Sequence, residues 1–547
     1  MTAQTLTTSK VIDVQDAAHL IKDGDTLATA GFIGIGFAEY LASAIERRFL
    51  ETGHPKDLGL FYAAGQGDGG YKGLNRFGHE GMTRRVIGGH WGLAPKLGEL
   101  ATQNKLCGYN LPQGIIAHMF RDMAAGKPGT LSKVGLHTFV DPRQEGGKLN
   151  PEVGEDIVEL MQIHGEDYLF YKAQHLDVAL LRGTTADALG NITMEREALP
   201  VEALAIAQAV KNKGGKVIVQ VERVTDQHQL PPSAVRIPGI LVDHVVVSPP
   251  EFHMQTFAEA YNPAYTGETR PIDRVIEPLP LDIRKVISRR ALLSLTKGAV
   301  VNLGIGMPEG IVSVAQEEGR LEEFTLTVEP GGIGGQPASG LSFGAVSHAH
   351  AIIDQPAQFD FYDGGGLDQA FLGLAEVGPT GDVNVSRFGS KLAGAGGFIN
   401  ISQNTQDLYF MGTFLSGKQT IHVTDKGLEI VEEGSIGKFK SQVQQITFNG
   451  EYAHQLGQRV TYITERAVFE LGANGLTLTE IAPGVDLQTQ VLDLMEFQPE
   501  VSENLKLMDA RLFQPDAMVG LEAQSHPQGT SDNTSTRSQN STQTIPC

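Results

Sequence analysis

Cysteine is almost missing from this sequence. Cys107 and Cys547 are too few and too far apart to build a disulfide framework, which points to a reducing compartment, the cytoplasm. Cys107 reads as a small buried hydrophobe. No apolar run approaches the roughly 20 residues of a membrane-spanning helix. The stretch from Met1 to Asp13 is polar and lacks the apolar core of a secretion signal. Positive charge is short as well: 43 Lys and Arg stand against 64 Asp and Glu, a formal net charge of −21. That balance argues against wrapping a phosphate backbone or hugging an anionic membrane, so neither nucleic acid nor membrane is expected as a partner. The remainder is an ordinary globular composition, 41% hydrophobic and 20% charged, in a chain whose 547 residues are too many for one core.

Glycine is abundant, with 65 residues, and it clusters in GIGIG, GQGDGG, GGIGG, DGGG and GAGGF without a fixed period. Such clusters mark backbone that turns tightly or comes close to a ligand. The chain also repeats itself. Phe170-Tyr171, Leu176-Asp177, Ala179, Leu181 and Gly190 recur as Phe361-Tyr362, Leu367-Asp368, Ala370, Leu372 and Gly381, at a constant offset. Gly34-Ile35-Gly36 with Glu39 matches Gly304-Ile305-Gly306 with Glu309, and each follows a strand-like run and opens a helix-like one. A weaker echo sets the stretch from Ala64 to Gly70 against that from Glu329 to Gly335. Each copy has a helix before it, Ala17 to Ile21 and Val286 to Leu295.

Short apolar runs such as Lys216 to Val221 and Phe324 to Val328 alternate with helical stretches such as Val201 to Lys211. The expected fold is therefore α/β, two similar domains with largely parallel sheets flanked by helices, related by internal duplication. The expected division is 1–275, with an insertion around 100–165 that includes Tyr109 to Gly114, then 276–524, with the junction near Gly267 to Pro280. Residues 525–547, rich in Ser, Thr, Gln and Asn, read as a disordered tail.

Glu329 stands at the end of the run Phe324 to Val328 and is followed by Pro330 and four clustered glycines. In an open α/β sheet, ligands gather beyond the carboxyl ends of the strands. The first-half counterpart of Glu329 is Ala64, so the loop itself does not require the acid. A carboxylate framed by glycine backbone can act as a general base or as a nucleophile. Other readings of the glycines fit poorly. A phosphate loop ends in Gly-Lys-Ser/Thr, and GIGIG lacks the third glycine of a dinucleotide fingerprint. Gly340-Leu341-Ser342-Phe343-Gly344 has the spacing of a serine-hydrolase elbow but no strand leading into it. His348 and His350 could share a strand face as metal ligands, yet no further ligand stands at suitable spacing, and no metal is expected.

Taken in order, Glu329 in Glu-Pro-Gly-Gly-Ile-Gly-Gly, Asp363 to Asp368, Gly381 to Ser386 and Gly394 to Phe398 resemble the glutamate-dependent, family I CoA-transferases. Tyr109 to Gly114 and Arg182 to Asp187 extend the likeness to the fused single-chain acetate/propionate type. The resemblance spans roughly residues 10 to 520. Pro330 departs from the small residue expected there and removes one N–H near the reaction centre.

The resemblance implies ping-pong transfer of CoA between a short-chain acyl-CoA and a short-chain carboxylate, through a glutamyl-CoA thioester on Glu329, with CoA as substrate and no cofactor. It implies that Gly394, Ala395 and Phe398 border the CoA, and that Gly365, Gly366 and Asn384 belong to the CoA or substrate site. It also implies a cytoplasmic homo-oligomer, a tetramer by analogy. The oxyanions of such a reaction need fixed donors, for which the backbone of Gly396 and Gly397 and the side-chain amide of Gln113, reaching across from the other half, are the candidates. The rival readings are an acyl-CoA hydrolase using Glu329 or Ser342, a non-catalytic acyl-CoA sensor, and a sugar-phosphate isomerase, which would want Lys or Arg in the glycine loops.

Overall fold

The computed structural model describes residues 10–518, apart from 152, 226–229 and 270–277, together with 524 and 525. In the first half, seven strands run parallel in the spatial order His244–Val247, Lys216–Val224, Val178–Ala186, Thr26–Thr29, Leu58–Tyr62, Thr83–Gly88 and Cys107–Asn110. The central strand Val178–Ala186 is buried along its whole length, as a parallel strand covered on both faces must be. Two short antiparallel strands, Ile192–Thr193 and Val235–Ile237, complete this nine-stranded sheet.

In the second half the parallel order is Arg459–Ile463, Asp407–Met411, Gln369–Gly373, Val300–Leu303 and Thr325–Thr327. These strands repeat the first sheet from His244–Val247 through Leu58–Tyr62, position for position. Short antiparallel strands, Gly332–Ile333 and Ala351–Ile352, extend the edge beside Thr325–Thr327. The hairpin Ala467–Gly472 and Gly475–Ile481, followed by Glu500–Leu507, extends the other edge of a ten-stranded sheet.

Alternate residues of each strand face opposite layers, which sorts the helices. Leu27, Leu60 and Val178 pack with α1 (Val14–His19), α2 (Glu39–Thr52) and α3 (Pro95–Thr102). Their neighbours Ala28, Phe61 and Ala179 face α4 (Gln113–Ala124) and α5 (Ala203–Lys211). In the second sheet Val301, Leu326 and Phe371 pack with α6 (Ile283–Leu293) and α7 (Gly310–Glu317). Ala370, Leu372 and Phe410 face α8 (Gln355–Asp363) and α9 (Phe398–Asn404). One hydrophobic cluster thus takes in α4, α5, α8 and α9, and this middle helical layer joins the two sheets.

The internal echo is real in its second part and different in its first. Ala179 and Leu181 occupy the same strand as Ala370 and Leu372 in the twin sheet, and Gly190 and Gly381 both take the left-handed backbone that glycine tolerates, φ 82 and 84. Phe170-Tyr171, however, lies in Glu166–Lys172, the middle strand of a three-stranded antiparallel sheet, whereas Phe361-Tyr362 lies in α8. Tyr171 and Tyr362 are both fully buried, so the layer between the sheets demands the aromatic and either backbone can deliver it.

The expected junction falls partly outside the described residues. Of the expected tail, Ser525 pairs with Lys297 in a short parallel bridge, and the remainder lies outside them. No described helix is long and apolar enough to cross a membrane.

Candidate active site

The strand Thr325–Thr327 ends in a four-residue turn closed by the Gly331 N–H donating to the Val328 carbonyl at 3.1 Å, with Glu329 at its first corner. Gly331 takes φ 123, and a Cβ there would sit 2.0 Å from the Ile353 carbonyl oxygen, so only glycine closes this turn. Ala64 occupies the same place in the twin, two residues past Leu58–Tyr62. The Glu329 side chain keeps part of its surface open to a cavity, but its Oε2 is sealed and has no hydrogen-bond partner among the described residues. Burial, only partly offset by its own N–H, pushes the carboxyl up to about 7.

The cavity has a volume of about 480 Å³ and lies between the halves. Phe32, Ile33, Leu93, Ile305, Leu341, Leu372, Val385 and Ile401 give it apolar walls, with Gly394 to Phe398 along one side. Gln113 enters from the first half as the first residue of α4, and its Nε2 is sealed with no acceptor among the described residues. The two unpartnered polar atoms, one an acceptor on Glu329 and one a donor on Gln113, therefore belong to side chains that line the same cavity.

Gly397 lies against the acid, since a Cβ on it would be 3.1 Å from Glu329 Cγ and 3.3 Å from the Phe359 ring. Its N–H has no acceptor among the described residues. The expectation for Gly396 needs correction. Its N–H donates to the Gly89 carbonyl at 2.7 Å and is not free to serve an oxyanion, while its carbonyl accepts the Gln113 N–H at 2.9 Å. Gly396 is a joint between the halves.

Gly394, Ala395 and Phe398 line the cavity, and this loop docks on strand ends of the first half. The Ala393 carbonyl accepts from the N–H groups of Trp91 and Gly92, and the Ala395 N–H donates to Asn110 Oδ1 at 2.9 Å. Gly365, Gly366 and Asn384 do not reach the cavity. The two glycines follow the C-terminus of α8 and lead into the amino end of Gln369–Gly373, the edge of the sheet opposite the site. Gly365 takes φ 82, and a Cβ on Gly366 would strike the Phe361 ring at 2.2 Å. Asn384 is fully buried and knits its own loop, donating to Glu376 and to the Arg387 carbonyl, while its neighbour Val385 faces the cavity.

Ser342 ends a short 3₁₀ turn, and its hydroxyl is held by Thr256 and Glu259 at 2.8 and 2.9 Å, so it is no nucleophile elbow. His348 takes φ 56 and breaks the strand on which the two imidazoles were to align. Among the described residues, no three His, Cys, Asp or Glu side chains cluster to hold a metal ion. Arg182 is buried in an ion pair with Glu197 and donates to the Met254 carbonyl, which explains the Arg182 to Asp187 segment as scaffold.

Sequence reasoning missed His90, which lines the cavity with an Nδ1 that has no partner among the described residues and which burial lowers to about 4, leaving the imidazole neutral. It follows Thr83–Gly88 inside Gly88-Gly89-His90-Trp91-Gly92, so the strand-end argument that found Glu329 reaches it too.

Residues 11–248 match the family described as Coenzyme A transferase. The chain is 47% identical over 491 residues to the caffeate CoA-transferase of Acetobacterium woodii, covering 89% of this chain and 94% of that one. It is 45% identical over 484 residues to the acetate CoA-transferase YdiF of Escherichia coli K12, covering 88% and 91%. The crystal structure of the acyl-CoA transferase YdiF apoenzyme from Escherichia coli O157:H7 superposes with a TM-score of 0.91 at 42% identity, over 96% of this chain and 100% of that one. A second structure of that protein, described as a thioester complex with CoA, superposes at 0.89 and 43% identity, over 95% and 98%.

Proposed function

The chain belongs to the family I coenzyme A transferases in their single-chain form and is a CoA-transferase, and from this premise we propose that it exchanges CoA between short-chain acids by a ping-pong route through Glu329. The observation that carries the reading is the partnerless Glu329 Oε2 in an apolar cavity shared with the partnerless Nε2 of Gln113.

A carboxylate is a weak nucleophile in water, and desolvation raises its reactivity. In the first step a Glu329 oxygen adds to the acyl-CoA carbonyl and the carbon–sulfur bond breaks, leaving an acyl-glutamyl anhydride and CoA thiolate. The thiolate then adds to the glutamyl carbonyl, the bond to the bridging oxygen breaks, and the first acid departs as its carboxylate. A glutamyl-CoA thioester remains, and an incoming carboxylate runs the same steps in reverse. Each tetrahedral intermediate carries an oxyanion, for which Gln113 Nε2 and the Gly397 N–H are the free donors. No metal or prosthetic group enters these steps, and CoA is itself a substrate.

The CoA-thioester structure of the related acyl-CoA transferase from Escherichia coli O157:H7 supports the covalent route, and the acetate and caffeate relatives support small monocarboxylates as substrates. The binding energy of the large CoA handle can be expressed at the thioester, which lets a small acid react efficiently. The enzyme is placed in the cytoplasm as a homo-oligomer, a reading supported by the family resemblance and the scarcity of cysteine.

The test is chemical trapping. Acyl-CoA is added without acceptor, the mixture is reduced with borohydride and digested, and peptides are sequenced by mass. The Glu329 peptide is expected to carry the glutamyl side chain reduced to the alcohol. An unmodified Glu329 in enzyme that turns over fully once acceptor is supplied would discard the mechanism.

A further inference from the structure

The segment Asp363-Gly-Gly-Gly stood out in the sequence and does not touch the cavity, yet its acid is tied to the site by a short chain of hydrogen bonds. Asn400, in α9, donates Nδ2 to both oxygens of Asp363 at 2.9 and 3.0 Å. The same amide accepts, through Oδ1, the N–H of Gly114 at 3.1 Å. Gly114 is the second residue of α4, next to Gln113.

The first N–H groups of a helix have no partner within the helix and are normally met by a side chain at its N-terminal boundary. In α4 that boundary residue is Pro112, which offers no such side chain. The cap comes from the opposite half, with Gly396 O taking the Gln113 N–H and Asn400 Oδ1 taking the Gly114 N–H. No spare room exists there: a Cβ on Gly114 would lie 2.4 Å from the Phe359 ring and 2.5 Å from Asn400 Nδ2. Asn400 is fully buried, so with Oδ1 engaged its Nδ2 requires an acceptor, which Asp363 supplies. Further along α4, His118 and Arg121 reach Asp360 of α8, which holds the two helices side by side.

We propose that Asn400, fixed by Asp363, is a positioning residue that sets the first turn of α4 and so aims the Gln113 amide at the reacting carbonyl. The proposal rests on the reading of Gln113 as an oxyanion donor. Among the described residues that amide's nitrogen has no hydrogen-bond partner, so its placement depends on packing and on the backbone beneath it. Asp363 is pushed up to about 6 by burial, opposed by the His118 ring and the Asn400 amide, and is therefore mostly ionised and accepting at neutral pH. The other polar groups around it are Asp360 on its own helix, Tyr171 from the three-stranded sheet, and Asn404.

The experiment is a double-mutant cycle on the full chain, with kcat and KM measured for Gln113→Ala, Asn400→Ala and the pair, alongside thermal unfolding of each. Gln113→Ala is expected to lose roughly 10²- to 10³-fold in kcat. Asn400→Ala is expected to lose roughly 10- to 100-fold in kcat, with KM for acyl-CoA moving less than about threefold. In the Gln113→Ala background the second change should then have little effect, within about twofold, because nothing is left to aim. Asp363→Asn, which keeps the shape and one acceptor oxygen, should rescue most of what Asp363→Ala loses. If Asn400→Ala does not fold, Asp363→Ala takes its place in the cycle with the same expected non-additivity. Full independent losses in the pair, or wild-type kcat in Asn400→Ala, overturn the positioning role while leaving Gln113 as donor. Wild-type kcat in Gln113→Ala overturns the donor reading and the positioning role together.

Discussion

Replacing Glu329 by Gln should abolish transfer and, above neutral pH, make the protein more stable. The side chain keeps its size and its place in the turn but loses the charge that the cavity leaves unsolvated. Each tenfold change in proton affinity corresponds to about 1.4 kcal/mol, so a carboxyl carried from 4.5 to about 7 costs roughly 3 kcal/mol to ionise in place. Because the folded-state value lies above the unfolded one, the native protein holds this proton more tightly than the unfolded chain does. Stability attributable to the group is complete below about 4.5 and is lost as pH rises to about 7. Gln titrates in neither state and escapes that loss. The assay is thermal unfolding of wild type and Glu329→Gln from pH 5 to pH 9. At pH 5 only about a quarter of the full difference should be present, and by pH 8 the variant should melt roughly 3–6 °C higher, according to whether one half or the whole chain melts as a unit. A difference that does not change with pH, or a wild type that is the more stable at pH 8, refutes the claim that Glu329 is held desolvated and unpaired.

On the proposed mechanism the same ionisation governs rate: attack requires the carboxylate, so kcat/KM should fall about tenfold per pH unit well below pH 7, and a profile flat to pH 5 contradicts the assignment. Glu329→Asp withdraws the carboxylate by about 1 Å and should lower kcat on the order of 10²-fold, measured by acyl exchange between labelled acid and acyl-CoA. Ser342→Ala should keep transfer within about threefold, and a collapse in rate would revive the serine reading. Arg182→Met strands Glu197, whose carboxyl burial would raise but which Arg182 and His253 hold down at about 2. Denaturant unfolding should show a loss of about 3–5 kcal/mol.

The duplicated parallel sheets were legible because strand spacing and turn glycines recur in both copies, and Glu329 stood out because its twin is Ala64. The walls of the cavity were not legible. Phe32, Leu93, Leu341 and Ile401 come from four distant segments, and each looks like any core residue until the halves meet. Gly365 and Gly366 were misplaced for a geometric reason: α8 runs against its strands, so the turn that closes it lies on the edge away from the site, and a motif's composition does not say which edge it occupies. The donor role expected of Gly396 was wrong although its place beside the cavity was not, because a glycine there can present either its N–H or its carbonyl, and here the N–H goes to Gly89.

The two copies have divided the chemistry between them. The second half brings Glu329 and the Gly397 backbone to the cavity and the first brings Gln113, so on the proposed mechanism neither sheet alone assembles a reactive site. The same contact that unites them also desolvates the acid, since Phe32 and Ile33 of the first half and Phe398 of the second wall the cavity that Glu329 enters. Part of what holds the halves together is backbone hydrogen bonding that each half leaves unfinished. The α4 N–H groups are met by Gly396 and Asn400, the Trp91 and Gly92 N–H groups by Ala393, and the Ala395 N–H by Asn110. These bonds end in the loop that borders Glu329 and in the helix that follows it. On the proposed mechanism, docking and activation of the carboxylate are therefore one event: a change that loosens the seam should rehydrate Glu329 and return it toward the ordinary reactivity of an acid in water.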